Sequence, residues 1–101
     1  MTKYDKLVRD RIPEIIRKKG TEPKTHVAGD DEYWRKLKDK LGEEVKEFLV
    51  SESAEEVADI LEVLEAICER KGYRMDEVQR LKSVKVAQRG AFKDKIILEE
   101  S

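Results

Sequence analysis

The sequence predicts an all-α protein: a bundle of four helices, completed by association with further copies and trailed by a short irregular or extended tail. Three observations lead there. Apolar residues recur at three- and four-residue spacing over long stretches, Gly20, Gly72 and Gly90 fall where that spacing stops, and strand-like alternation is scarce.

The first helix is expected over about residues 11–19, with Pro13 in a first turn that tolerates it and Gly20 as the stop. TEPKTHVAGD reads as a loop. The second is expected over about 31–50, capped by Asp30 or Asp31, with Tyr33, Trp34, Leu37, Leu41, Val45, Phe48 and Leu49 on its apolar side. SES interrupts it briefly. The third spans about 54–71, where Ser53 and Glu56 have capping-box spacing and Gly72 ends the run. The fourth spans about 75–89, before Gly90. In the tail, Ile96, Ile97 and Leu98 suit a short extended segment, with KLV near the N-terminus as its weak pairing candidate. No repeat or Gly/Ser linker marks a boundary, so residues 1–101 read as one domain.

The totals narrow the function. Lys plus Arg number 22 against 23 Asp plus Glu, so a formal charge of -1 offers no overall attraction to a nucleic-acid polymer or an anionic membrane. The opening MTKYDKLVRDRIPEI has no apolar signal core, and no run approaches the ~18 apolar residues of a membrane span. The expectation is a soluble, cytoplasmic protein. Cys68 is alone on an apolar stripe, which suits a small packed thiol rather than a nucleophile, and His26 sits in a loop without an assigned role.

The stretch EEVKEFLVSESAEEVAD, residues 43–59, concentrates seven carboxylates among apolar neighbours. At about 100° per residue the second helix's stripe centres on Leu41, and Glu44 falls about 60° from that centre, inside the arc expected to be covered. Glu47 lies at the arc's edge, and Glu43 projects toward solvent. On the third helix, Val57, Leu61, Leu64 and Cys68 form one stripe and Ile60, Val63 and Ile67 another, so it should be covered on two sides. Glu56 and Asp59 continue the second stripe, while Glu55, Glu62 and Glu69 stay on a wet face. A short SES connection makes the helices antiparallel neighbours and brings Glu44, Glu47, Glu56 and Asp59 together. Unpaired charges in such a cleft are costly, and a hard divalent cation with oxygen ligands, Mg²⁺ or Mn²⁺, is the fitting partner. The plain alternative stands beside it. In a chain that is 45% charged, Lys40 with Glu43 and Glu56 with Ser53 can simply dress and cap helices, and on spacing alone that is the commoner outcome.

Glu43-Glu44-x-x-Glu47 followed by Glu56-x-x-Asp59 resembles the EExxE...ExxD signature of the all-α nucleoside triphosphate pyrophosphohydrolases, the MazG-like and phosphoribosyl-ATP pyrophosphohydrolase superfamily. KLGEEVKEFL and AEEVADILEVLEAICERKGYRMDEV look especially like the phosphoribosyl-ATP pyrophosphohydrolase pattern, although the gap between Glu47 and Glu56 is shorter than in many MazG proteins. KLVRDRIPEII and Lys85-x-x-x-Arg89-Gly90-x-Phe92 look like a small MazG-like subgroup. The resemblance implies Mg²⁺-dependent hydrolysis of a nucleoside triphosphate between the α and β phosphates. It implies Glu44, Glu47, Glu56 and Asp59 as metal ligands, Glu44 also orienting the attacking water, and Glu43 as a supporting residue behind them or at a subunit interface.

Lys82, Lys85 and Arg89 share one face of the fourth helix, which suits a phosphate-binding row or a merely solvated basic face; the resemblance favours phosphate for Lys85 and Arg89. Arg9 and Lys6 are weaker candidates for the same task. Trp34 suits core packing better than stacking on a base. The expected partner is a nucleotide, with a homodimer or higher homo-oligomer as the assembly. Two other readings share these residues: phosphoribosyl-ATP hydrolysis, and a non-catalytic helical module that binds nucleotide or protein.

Overall fold

A computed structural model describes residues 3–101. Among these residues the chain is all-α with four helices: α1 (Ile12–Lys18), α2 (Asp30–Ser51), α3 (Ala54–Lys71) and α4 (Met75–Arg89). Among the described residues no strand forms. Ile96, Ile97 and Leu98 lie exposed and unpaired with the N-terminal KLV, which corrects the expectation of a short extended pairing. Three apolar residues between charged neighbours have too little to bury to hold a ladder.

The helix ends follow local chemistry. At α3 the Ser53 hydroxyl accepts the Glu56 backbone N–H at 3.3 Å, and Glu55 and Glu56 place negative charge in the first turn. Gly72, at φ +74°, closes the other end: its N–H reaches the Glu69 carbonyl and the Tyr73 N–H reaches that of Cys68, a left-handed stop that glycine adopts without strain. For α2 the cap is Gly29 rather than Asp30 or Asp31. Those two acids and Glu32 fall inside the first turn, where they complement the helix dipole instead.

Glu52 takes a left-handed conformation at φ +53° after α2, its N–H bonded to the Phe48 carbonyl at 2.7 Å, and Ser53 already begins α3. So tight a connection folds α3 back along α2. This pair carries most of the tertiary packing, while α4 stands clear of it. Leu37 of α2, 1% exposed, is the apolar side chain fully enclosed among the described residues. Ile60, Val63 and Ile67 of α3 are partly covered, but Val57, Leu61 and Leu64 remain open. Of the two sides of α3 that the sequence marks for burial, a single chain covers one.

The molecule is accordingly elongated, 56 × 31 × 24 Å, with a radius of gyration of 17.9 Å where about 13 Å suits a compact chain of this length. The four helices do not close into a bundle within one chain. Before α1, residues 3–11 run as an irregular strap across the α2–α3 pair, tied where Lys36 Nζ donates to the Asp5 carbonyl at 2.6 Å.

Candidate metal centre

Glu44 sits at the heart of the acidic cluster. The period of α2 turns its side chain inward at the end of the hairpin nearest the turn, and only 8% of that side chain meets solvent. Carboxylate oxygens of Glu44, Glu56 and Asp59 lie within 4.8 Å of one another, and so do those of Glu43, Glu44 and Glu47. Glu44 therefore belongs to both groups. The four residues singled out by sequence are brought together, with Glu43 added.

Glu43 departs from its projection. It is 29% exposed rather than wet, held by Lys6 at 3.2 Å and Lys40 at 3.4 Å. Burial works to raise its pKa, but the Lys6 hydrogen bond and the Lys40 charge outweigh burial and hold Glu43 below its ordinary value. Glu47 is the most open of the cluster.

Three cations reach these acids. Lys40 lies 3.3 Å from Glu44 Oε1, Lys6 serves Glu43, and Arg9 bonds Asp59 at 2.7 Å while also pairing with Glu62. Six carboxylates thus share three positive charges. Glu44 Oε2 and Glu56 Oε2 are enclosed and have no hydrogen-bond partner among the described residues. Glu56 is pushed up to about 7, by burial first and then by the neighbouring carboxylates Glu44 and Glu47.

A divalent cation fits this donor set. Carboxylate oxygens are hard ligands, two are enclosed without a partner, and no cysteine or histidine joins the two acidic groups. Glu44 is the residue that would hold it most deeply, with Glu56 and Asp59 from α3, Glu43 beside it, and Glu47 toward the opening. His26 lies elsewhere, its Nε2 beside Glu32 at 2.9 Å.

Other candidates are not brought to the cluster. Lys82, Lys85 and Arg89 are exposed on α4, which stands clear of the hairpin. Trp34 lies ten residues before Glu44 on α2, about 15 Å along the axis, with Lys38 and Lys71 ammonium groups 5.3 and 5.1 Å from its ring. It packs the far end of the hairpin, so stacking on a base beside the cluster lacks geometric support. Arg9 and Lys6, the weaker phosphate candidates, are the ones that arrive. Glu62, read as wet, is the second anchor of Arg9, and nothing in a helical period signals that role because the strap that supplies Arg9 is irregular.

No model of a known protein family matches the chain, and no solved structure matches it. Over 47 residues the chain is 51% identical to an uncharacterised protein of Mycolicibacterium smegmatis. That match covers 46% of this chain and 48% of the other protein, so it spans about half the length of each and carries no activity with it. No helix among the described residues is long and apolar enough to cross a membrane.

Proposed function

We propose that the protein is a Mg²⁺-dependent nucleotide pyrophosphohydrolase of the MazG-like kind, with Mn²⁺ as an alternative ion. Its reaction would be attack of water on the α phosphorus of a nucleoside triphosphate, breaking the bond to the α–β bridging oxygen and releasing a monophosphate and pyrophosphate. The observation that carries this reading is the pair of enclosed, unpartnered oxygens Glu44 Oε2 and Glu56 Oε2 at the junction of two acidic helix segments. The EExxE...ExxD pattern of the same residues supports it.

Bound at this centre, Mg²⁺ would offset phosphate charge and acidify a water molecule. Each residue then has a task. Glu44, enclosed and shared by both acidic groups, is placed to hold the ion and orient the water; Glu56 and Asp59 would hold the ion from α3; and Glu47 is the most exposed of the set. Lys40 and Lys6 fix the position of Glu43.

The open stripe Val57, Leu61 and Leu64 supports a homo-oligomer, in which a second copy laid on that face completes the bundle.

The test is incubation with a panel of nucleoside triphosphates, including modified ones, and phosphoribosyl-ATP, with and without Mg²⁺, followed by product identification. Pyrophosphate release dependent on Mg²⁺ is expected. Orthophosphate alone, or no turnover with any metal, would sink the hydrolase, and Mg²⁺-dependent nucleotide binding without product would favour the silent binding module.

A further inference from the structure

We propose that Arg9 is a displaceable cation that holds Asp59 while the metal is absent, and that metal binding exchanges the guanidinium for the ion and frees Arg9 toward phosphate. This rests on the metal reading of the cluster. It adds a step of assembly contributed by the N-terminal strap, outside the acidic helices.

The geometry that leads there is a shared carboxylate. Asp59 Oδ1 accepts from Arg9 Nη2 at 2.7 Å, and a carboxylate oxygen of the same Asp59 lies within 4.8 Å of those of Glu44 and Glu56. A guanidinium and a hard ion compete for such a group. The cluster is also more than a set of surface acids, since the Glu44 side chain is 8% exposed and its Oε2 faces inward without a partner. Arg9 does not satisfy that oxygen. Its own partners are Asp59 and Glu62, at the edge of the cluster, so the inner oxygens still call for a cation with Arg9 in place.

The strap can give way. Arg9 is 56% exposed and its anchor Glu62 is 58% exposed, so breaking the pair exposes no buried surface of note. Exposed ion pairs contribute little net stability, far less than a divalent ion gains from several carboxylates. Released, Arg9 remains tethered beside the cluster by the Lys6–Glu43 pair and by the Lys36 bond to the Asp5 carbonyl. Its planar fork suits two phosphate oxygens better than a lysine does. The same side chain therefore holds the site together while empty of metal and faces substrate once the metal is in.

Two readouts on the full chain test the exchange. Mn²⁺ titration, followed by the electron paramagnetic resonance of free Mn²⁺, compares the wild type with Arg9→Gln. Removing the competitor should tighten Mn²⁺ binding about fivefold or more, in the range of ordinary coupling between sites. In ¹⁵N-arginine-labelled wild type, Mg²⁺ should shift the Arg9 guanidinium resonances, assigned by their loss in Arg9→Gln, toward those of a freely rotating group. Should Arg9→Gln fail to fold, Glu62→Gln weakens the same hold at an exposed position, and tighter Mn²⁺ binding is expected despite the lost negative charge. Equal or weaker Mn²⁺ binding by the variant, or Arg9 resonances unmoved at Mg²⁺ saturation, overturns the exchange and leaves the metal reading intact. No Mn²⁺ binding by either protein overturns both.

Discussion

The Ser53 hydroxyl accepts the Glu56 backbone N–H at 3.3 Å, and the Glu56 carboxylate does not return the bond: the Ser53 N–H goes to Ser51 Oγ at 3.4 Å instead. A capping box is therefore only half formed. The freed carboxylate turns toward Glu44, leaving Oε2 enclosed and unpartnered. Capping accounts for Ser53 and for the position of the Glu56 backbone, and it leaves the Glu56 side chain for another purpose.

Ser53→Ala separates those two roles. Loss of an N-cap costs about 1 kcal/mol, and in a chain of this size that lowers Tm by roughly 4–8 °C. The cluster keeps every carboxylate. Calorimetry should show the drop in Tm, while Mn²⁺ affinity should change far less than in Glu56→Gln.

Glu44→Gln removes an enclosed charge among like charges, which should outweigh the lost 3.3 Å pairing with Lys40 and raise the Tm of the metal-free protein. It should also remove the response to metal. At a concentration about 100 times Kd, an ion that binds only the folded chain stabilises it by about 2.7 kcal/mol. Paired thermal melts with chelator and with Mg²⁺ test both halves. A variant that kept the full Mg²⁺ response would place the ion elsewhere, and pyrophosphate release should fall below detection if Glu44 orients the water.

The pH dependence of the metal-free protein follows from Glu56. Its folded pKa of about 7 lies above the ordinary 4.5, so between those values the folded chain keeps a proton that the unfolded chain has lost. Stability must then fall as pH rises through that window. Glu43 works oppositely: its pKa is lowered, so its stabilisation is complete above the ordinary value and is lost as pH falls below it. Comparing Tm of wild type and Glu56→Gln from about pH 4.5 to about pH 7 isolates the first effect. The wild type should lose ground steadily against the variant, and Mg²⁺, which favours the ionised carboxylate, should cancel that loss.

What could be read from sequence is what repeats along a helix. The bounds of α3 and α4, the inward turn of Glu44 and its meeting with Glu56 and Asp59 across a short connection all follow from a fixed angular step. A helical period sends Glu43 outward, and Lys6, one of the two cations that hold it, comes from a strap with no period to read. Arg9 and Glu62 pair for the same reason across 53 residues of sequence. Lys82, Lys85 and Arg89 share a face as expected, but a face is not a location, and α4 carries them away from the hairpin. The cap of α2 has no signal in the sequence, because Gly29 precedes two plausible capping acids that serve the dipole from inside the helix.

Leu37 and Leu61 make the last contrast, because they report on different assemblies. Leu37 is 1% exposed within one chain, whereas Leu61, on the open stripe of α3, is 55% exposed. Leu37→Ala should therefore cost about 2–5 kcal/mol at any protein concentration. Leu61→Glu should leave a single chain's own packing nearly unchanged. If a second copy covers Val57, Leu61 and Leu64, a buried glutamate opposes that contact, and the variant should sediment as a monomer at concentrations where the wild type is dimeric or larger. Helical content by circular dichroism should hold for Leu61→Glu while its Tm loses the concentration dependence of the wild type. A wild type that sediments as a monomer throughout would remove the second copy from that face and leave α3 open in the working protein.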